Sequence, residues 1–133
     1  VCGTNQLLLA ALRAKHKERN SLHFYGFVNN INELMTVSDL IVVIGGGLTI
    51  TESLCIGKPM VLFGAVPGQE TRNVDQIVRS GAARCARSLH EVVEQVTILR
   101  RDARLYREAV QAIEKIRSPY STREILRMAL EDR

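Results

Sequence analysis

The strongest constraint on the fold is a run of apolar, mostly β-branched residues that is followed at once by three glycines. The run is Leu40 to Ile44, and the glycines are Gly45 to Gly47. A segment that is apolar at every position is typical of a strand in a parallel sheet, where helices cover both faces. We therefore predict a strand over Leu40 to Ile44 that is covered on both faces.

Helical and strand-like patterns alternate on both sides of this run, which predicts βαβ units and a parallel sheet. The further predicted strands are Phe24 to Val28, Met60 to Phe63 and, more weakly, Ala82 to Cys85. Four helices are predicted in this part of the chain. The first begins after the cap residue Asn5, and the second after Asn30, with Glu33 at the reciprocal position of the cap. The third runs from about Thr49 to Ile56, and the fourth includes Val74, Ile77 and Val78. The fold class is therefore α/β, with a Rossmann-like parallel sheet flanked by helices.

From Ser88 onward the pattern is helical only. Ser88 with Glu91, and Ser121 with Glu124, both have the Ser-x-x-Glu spacing of a capping box. Between them, one apolar helix face is formed by Tyr106, Ala109, Val110, Ile113 and Ile116. We predict a βα core over residues 1–87 and a helical tail over 88–133. The Arg-rich stretch at 100–104 is interpreted as a solvated helix junction, with a patch for anionic lipid as the alternative.

Composition limits the classes of protein. A length of 133 residues suits one domain, and 46% hydrophobic with 24% charged residues is ordinary for a soluble globular chain. The net charge of +4 suits an anionic ligand or an acidic membrane surface. The basic residues are dispersed and only 5% of residues are aromatic, which argues against nucleic acid as a partner.

Neither a membrane span nor a cysteine framework is predicted. No apolar run approaches the roughly 18–20 residues that a spanning helix needs. The three cysteines, Cys2, Cys55 and Cys85, are odd in number and far apart, which argues against a disulfide framework or a zinc ribbon. We expect a cytoplasmic protein, with a peripheral contact to the membrane left open.

The glycine run stands where parallel sheets bind ligands, at the carboxyl end of a strand and the start of a helix. Glycines allow a ligand to approach the backbone, and the free amides of a helix start favour phosphate oxygens. The segment is not a Walker loop, and Ile50 stands where a Gly-x-Gly-x-x-Gly motif needs its last glycine. A tight strand-to-helix turn without a ligand explains the glycines equally well.

Glu52 also has two interpretations. Thr49-x-x-Glu52 has the spacing of a capping box, in which the carboxylate satisfies an amide of its own helix. A carboxylate one turn beyond a phosphate-binding helix start is also well placed to accept hydrogen bonds from a ribose diol. The local sequence leaves both interpretations open.

A second polar loop follows the next predicted strand. Pro67-Gly68 is ordinary turn chemistry, and Gln69, Glu70 and Asn73 supply donors and acceptors of the kind that sugar hydroxyls need. Alone, the segment could be a polar helix start. Because it is predicted beside the glycine turn, the combination favours a nucleotide sugar.

These motifs together resemble the C-terminal half of glycosyltransferase family 28. The resemblance rests on Gly46-Gly47-x-Thr49-x-x-Glu52, Gly57-x-Pro59 and Pro67-Gly68-Gln69-Glu70-x-x-Asn73, and is supported by Val1 to Asn5 and Tyr25 to Val28. It covers roughly residues 1–85, and the closest likeness is to monogalactosyldiacylglycerol synthases and processive diacylglycerol glucosyltransferases. The Pro-Gly-Gln-Glu element separates these from the peptidoglycan enzyme.

The resemblance implies the donor-binding C-terminal domain of a two-domain GT-B fold, incomplete at its N-terminus. Gly46, Gly47 and the amides of Leu48 and Thr49 would hold the donor diphosphate, and Glu52 the ribose. Phe27 and Val28 would flank the uracil, while Gln69 and Glu70 would bind the sugar hydroxyls. Asn73 and Asn5 either contact the donor or cap a helix.

The implied reaction is transfer of galactose or glucose from a UDP-hexose to a diacylglycerol-type lipid. The resemblance implies no metal and no cofactor, and places the catalytic base and the acceptor site in an N-terminal domain that would precede Val1. No residue of this chain is then catalytic, and the chain alone would be inactive. The alternatives are a non-catalytic nucleotide-sugar-binding subunit that needs a partner chain, and a UDP-sugar 2-epimerase-like domain. A homodimer is left open.

Overall fold

The computed structural model describes residues 1–44, 46–64 and 69–131, with the backbone alone for 69–73 and 122. The chain divides into two compact units, Val1–Leu34 and Met35–Arg133. In chain order the elements are α1 Gln6–Lys15, α2 Ile31–Val37, β1 Ile41–Ile44, α3 Gly47–Ile56, β2 Met60–Phe63, α4 Gln69–Arg79, β3 Ala83–Ala86, α5 Leu89–Arg101, α6 Ala103–Ile116 and α7 Ser121–Glu131. None of the described helices has the length and apolar character that crossing a membrane requires.

The three strands form a parallel sheet in the order β1-β2-β3. Ile44 at the end of β1 is level with Phe63 at the end of β2, and Phe63 is level with Ala86 at the end of β3. Each of the first two strands is followed by a helix and then by the neighbouring strand, which is the βαβ arrangement. The predicted α/β class with a Rossmann-like parallel sheet is confirmed.

Helices cover both faces of the central strand, which is why β2 is the most buried element. On one face, Ile50 of α3 and Val74 of α4 pack with Met60 and Leu62. On the other face, Val61 packs in a cluster that also contains Ala86, Leu99 of α5 and Ala109 of α6. Met60, Val61 and Leu62 are each 0% exposed as a result.

α6 is tied to the same unit by one long-range hydrogen bond. The Tyr106 hydroxyl donates to the Asp39 carbonyl oxygen at 2.9 Å, across 67 positions of sequence. On the predicted apolar face of α6, Ala109 and Ile113 are buried, whereas Ile116 is 41% exposed. The junction of α5 and α6 at Asp102 is a solvated turn, as the Arg-rich stretch predicted, with Arg101 exposed.

β1 is covered less completely than the sequence predicted. Val42 is 48% exposed and Ile44 is 66% exposed, whereas Ile41 is buried. β1 is the outer strand of the described sheet, and α5 packs against β2 and β3. The alternate side chains of β1 therefore extend past the helical cover, and the expectation of two covered faces was wrong.

The predicted strand at Phe24 to Val28 is not present. This segment has no regular structure, and the Cys2 N–H donates to the Tyr25 carbonyl oxygen at 2.7 Å. A strand needs a ladder of such bonds rather than one, because each bond alone fixes little of the backbone. The apolar pattern of the segment therefore did not produce a strand.

Of the caps predicted at Asn5, Ser88 and Ser121, the first two are formed. Asn5 Oδ1 accepts the Leu8 N–H at 2.9 Å, which confirms Asn5 as the N-cap of α1. Ser88 caps α5 by accepting the Glu91 N–H at 3.1 Å. Ser121, in contrast, is already the first residue of α7, so the capping box predicted for Ser121 and Glu124 is not formed.

Candidate functional site

The glycine turn leads directly from β1 into α3, a helix of ten residues. Gly45 lies outside the described residues. The Gly46 N–H donates to the Ile44 carbonyl at 2.6 Å, and Gly46 is the N-cap of α3 without any side-chain capping bond. Its carbonyl oxygen accepts the Ile50 N–H at 3.2 Å, which is the first hydrogen bond of the helix.

Three consecutive amides are consequently free at this helix start. The N–H groups of Gly47, Leu48 and Thr49 have no acceptor in the described part of the chain. Unsatisfied amides at a helix start carry part of the positive end of the helix dipole, and a phosphate group can satisfy several of them together. The turn can therefore hold a phosphate group at α3.

Gly46 and Gly47 are not explained by the needs of the turn. Neither has a positive φ. A Cβ at Gly46 would come no closer than 3.9 Å to the Ile44 carbonyl oxygen, and one at Gly47 would meet nothing within 4 Å. Backbone conformation and packing would thus accept a side chain at both positions, so what the glycines provide is open access to the free amides.

Glu52 does not cap α3. The helix begins at Gly47, which makes Thr49 its third residue, so the predicted capping box of Thr49 with Glu52 is wrong. Glu52 is half-buried and has no hydrogen bond or ion pair with any residue that the structure describes. Its Cα lies about 7.5 Å along the axis from that of Gly47, at 1.5 Å per residue.

The position of Glu52 on the helix favours a ligand at the helix start. It stands four residues after Leu48 and three after Thr49, so the three share one face of α3. Helical side chains lean toward the N-terminus. The Glu52 side chain is therefore expected to lean toward the first turn of α3. Two other polar side chains nearby, Thr51 and Ser53, are occupied, because their hydroxyls donate to the Gly47 and Thr49 carbonyls.

The helix that carries the second polar motif starts at the same edge of the sheet as α3. β1 and β2 are neighbours in parallel register, so their carboxyl ends, and the starts of α3 and α4 that follow, lie at one edge of the sheet. The backbones of Gln69, Glu70 and Asn73 lie in the first part of α4, but their side chains are outside the described residues. Pro67 and Gly68 lie wholly outside them. The structure thus places both helix starts at one sheet edge without describing the polar side chains of the second.

A cavity of about 260 Å³ opens between these two helices. Gly47 and Thr51 line it from α3, Gln76 lines it from α4, and Ser80 lines it from the turn that follows α4. It gives α3 and α4 one shared concave surface that extends from the glycine turn.

The remaining sequence-predicted residues lie in the first unit, Val1–Leu34. Phe27 is 68% exposed, and Val28 is half-buried. Asn5 caps α1 with its side-chain oxygen, which is the structural of its two interpretations. Among the described residues, no group of three or more His, Cys, Asp or Glu side chains is arranged to hold a metal ion.

The family model of the glycosyltransferase family 28 C-terminal domain matches residues 1–120. The match extends beyond the glycine turn and through α5 and α6.

Individual relatives agree with this match. The chain is 38% identical over 103 residues to a processive diacylglycerol beta-glucosyltransferase of Bacillus subtilis, covering 77% of this chain and 27% of the relative. It is 33% identical over 132 residues to the protein of the same description from Bacillus licheniformis, covering 98% and 34%. The Staphylococcus carnosus protein of that description is 30% identical over 127 residues, covering 96% and 32%. The chain thus spans about a third of the length of the relatives that it matches.

Proposed function

Because the chain belongs to glycosyltransferase family 28, whose C-terminal domain it matches, we propose that it is the donor-binding part of a hexosyltransferase. The donor is a UDP-hexose, and the acceptor is a lipid of the diacylglycerol type. The relatives are described as diacylglycerol beta-glucosyltransferases, which supports glucose as the first choice over galactose.

The observation that carries this proposal is the uncapped start of α3. The free amides of Gly47, Leu48 and Thr49 bind the diphosphate of the donor, and Gly46 leaves them accessible. The negative charge that develops on the β-phosphate when UDP leaves is stabilised there by hydrogen bonds and by the helix dipole. This chemistry uses neither a metal nor a cofactor.

The other contacts of the donor follow from the order of uracil, ribose, diphosphate and hexose along the UDP-hexose molecule. The Glu52 carboxylate accepts hydrogen bonds from the ribose hydroxyls, since it lies one turn beyond the diphosphate on the same helix. Gln69 and Glu70, at the adjacent helix start, bind the hexose hydroxyls, with Asn73 as a further contact. Phe27 and Val28 flank the uracil.

The proposed reaction is an inverting displacement at the anomeric carbon of the hexose. An acceptor hydroxyl attacks that carbon, the bond to the β-phosphate oxygen breaks, and a general base removes the hydroxyl proton. The base and the acceptor site belong to the part of the protein outside this chain. The chain therefore supplies donor binding and stabilisation of the leaving group, and by itself is expected to transfer no sugar, because transfer requires acceptor and donor to be held together.

Calorimetric titration of nucleotides onto the purified chain tests this assignment. UDP should bind more tightly than UMP, since UMP lacks the phosphate that the free amides of α3 would hold. Glu52→Ala should weaken UDP binding by about 10-fold or more, the usual cost of a hydrogen bond to a charged group. Glu94, an exposed helical carboxylate on α5, provides the matched control as Glu94→Ala.

A second nucleotide makes the test specific for the ribose. 2′,3′-Dideoxy-UDP lacks both hydroxyls that Glu52 is proposed to contact, so Glu52→Ala should leave its affinity unchanged. An equal loss for UDP and for the dideoxy nucleotide would mean that Glu52 acts through the fold and not through the ribose. Absence of UDP binding by a folded chain would reject the donor site altogether.

A further inference from the structure

A concavity rich in basic side chains lies within the first unit, and no residue of α3 or α4 lines it. It has a volume of about 580 Å³ and is lined by the end of α1 and the segment that follows it. Its positive charge comes from Arg13, Lys17 and Arg19, and His16 and His23 also line it. No Asp or Glu is among the residues that line it. We refer to it as the basic concavity.

Two contacts shape the basic concavity. The Arg13 guanidinium donates to the Phe24 carbonyl oxygen at 3.0 Å. The His16 ring stacks on the Phe24 ring, with centroids 5.7 Å apart. Both contacts join the end of α1 to the segment that returns along it, so the side chains between them line one open concavity.

The dipole of α1 accounts for only part of this charge. Arg13 and Lys15 are in the last turn of α1, where cations stabilise a helix end. Lys17 and Arg19 lie beyond the last turn of the helix, and both are exposed. Neither has an ion pair with a described residue, and Glu18 between them does not line the concavity. Two cations that line one cavity without an ion pair to a described residue make it a favourable place for an anion from outside.

Apolar side chains at the same place indicate which anion this is. Leu22 and Tyr25 also line the concavity, and each is 41% exposed. Basic side chains together with an exposed aliphatic residue and an exposed tyrosine are typical of surfaces that lie at the headgroup level of a bilayer. A site for a small soluble phosphate would gain nothing from these two side chains.

We propose that the basic concavity is a docking surface for anionic membrane lipid, with the phosphate headgroup held among Arg13, Lys17 and Arg19 and with Leu22 and Tyr25 against the interface. The docking surface itself does not depend on the donor site. Only its use, to bring the protein to a lipid acceptor, rests on the proposed function.

The other basic segment of the chain serves as a comparison. At the junction of α5 and α6, Arg104 pairs with Glu108 at 3.7 Å, and the Asp102 carboxylate accepts the N–H groups of the first turn of α6. Arg100 and Arg101 are exposed at this junction, but the local charge is mixed in sign. The junction is therefore not proposed as a membrane surface, and its arginines provide a control with the same change in net charge.

Sedimentation with vesicles tests the proposal. The chain should bind vesicles of phosphatidylcholine mixed with phosphatidylglycerol, bind vesicles of phosphatidylcholine alone much less, and dissociate as ionic strength rises. The double variant Lys17→Gln/Arg19→Gln should lower the partition coefficient by about 25-fold, at roughly 5-fold for each basic residue near the surface. Arg100→Gln/Arg101→Gln should change it little. Circular dichroism and thermal melting establish that both variants are folded.

Three results would overturn the proposal. Equal losses in the two double variants would show that net charge and not the basic concavity drives binding. Equal binding to neutral vesicles would remove the role of the headgroup charge. Competition by inorganic phosphate at constant ionic strength would identify a site for soluble phosphate in place of a membrane surface. UDP affinity of Lys17→Gln/Arg19→Gln is measured alongside and should equal that of the unaltered chain, which keeps a failed donor site distinguishable from a failed docking surface.

Discussion

Replacing Gly47 with alanine is expected to raise the stability of the chain and at the same time to lower its affinity for UDP. Gly47 is the first residue of α3, its φ is not positive, and a Cβ there would meet nothing within 4 Å. The folded state can therefore accept the methyl group without strain. Replacing glycine with alanine where the native backbone suits both residues raises stability by up to about 1 kcal/mol, since it reduces the freedom of the unfolded chain.

The size of both effects can be estimated. For a chain of this length, a gain of up to about 1 kcal/mol corresponds to a rise in Tm of up to about 4 °C. The same methyl group would stand beside free amides that we propose to hold the diphosphate. Losing one hydrogen bond to a charged group costs about 1.5–3 kcal/mol, so UDP affinity should fall by about 10-fold or more. One substitution thus moves stability and binding in opposite directions.

Thermal melting without ligand and calorimetric titration with UDP measure the two effects separately. Gly57→Ala is the matched control, because it adds the same methyl group at the other end of α3, where the backbone conformation disfavours a side chain. Gly57 is the C-cap of α3 with φ +82°, and its Cβ would lie 3.4 Å from Arg117 Nη1. It should lose about 1–2 kcal/mol of stability and keep its affinity for UDP at temperatures where it is folded.

Each half of the reasoning can fail by itself. A Gly47→Ala variant that is less stable than the unaltered chain would show that the helix start is not open at this position. A variant that gains stability and binds UDP unchanged would show that the diphosphate does not use this amide. In the second case the assignment of the glycine turn as the donor diphosphate site would be withdrawn.

Four further substitutions test the packing and the caps by urea unfolding. Ile113→Ala should cost about 2–5 kcal/mol, because Ile113 is 0% exposed and its removal leaves a cavity, and an unchanged midpoint would contradict the packing of α6. Asp102→Ala should cost about 1 kcal/mol, because it removes the acceptor for the Arg104 and Leu105 N–H groups, and stability within error of the unaltered chain would contradict that cap. Ser88→Ala should cost a similar amount at the start of α5, and Ser121→Ala, where no cap is formed, should cost little.

The sequence predicted best those elements whose formation depends on residues close together in the chain. β2 has the predicted bounds, Met60–Phe63. A short apolar run between two helices is best buried as a strand in the centre of the sheet. Asn5 and Ser88 cap their helices because a side-chain oxygen and the amide three residues later are brought together by the backbone itself. The starts of α3 and α4 also lie at one sheet edge as predicted, since parallel strands present their carboxyl ends together.

Predictions that needed a partner elsewhere in the chain were less successful. The pattern at Phe24 to Val28 is that of a strand, but a strand exists only where a neighbouring backbone completes the ladder. The pattern of β1 could not show that Val42 and Ile44 would stay exposed, because the cover of a strand depends on which elements lie over it.

By itself, then, the sequence determined the α/β class, the family and the glycine turn, because these depend on short-range periodicity and on motifs within single loops. Only the tertiary structure decided that α3 begins at Gly47, and hence that Glu52 is not occupied as a cap. It also decided that Arg13, Lys17 and their basic neighbours line one concavity. At the junction of α5 and α6, in contrast, Arg104 is paired with Glu108. The physical reason is the same in both cases: where a helix starts and which charges lack a partner depend on the position of neighbouring groups in space.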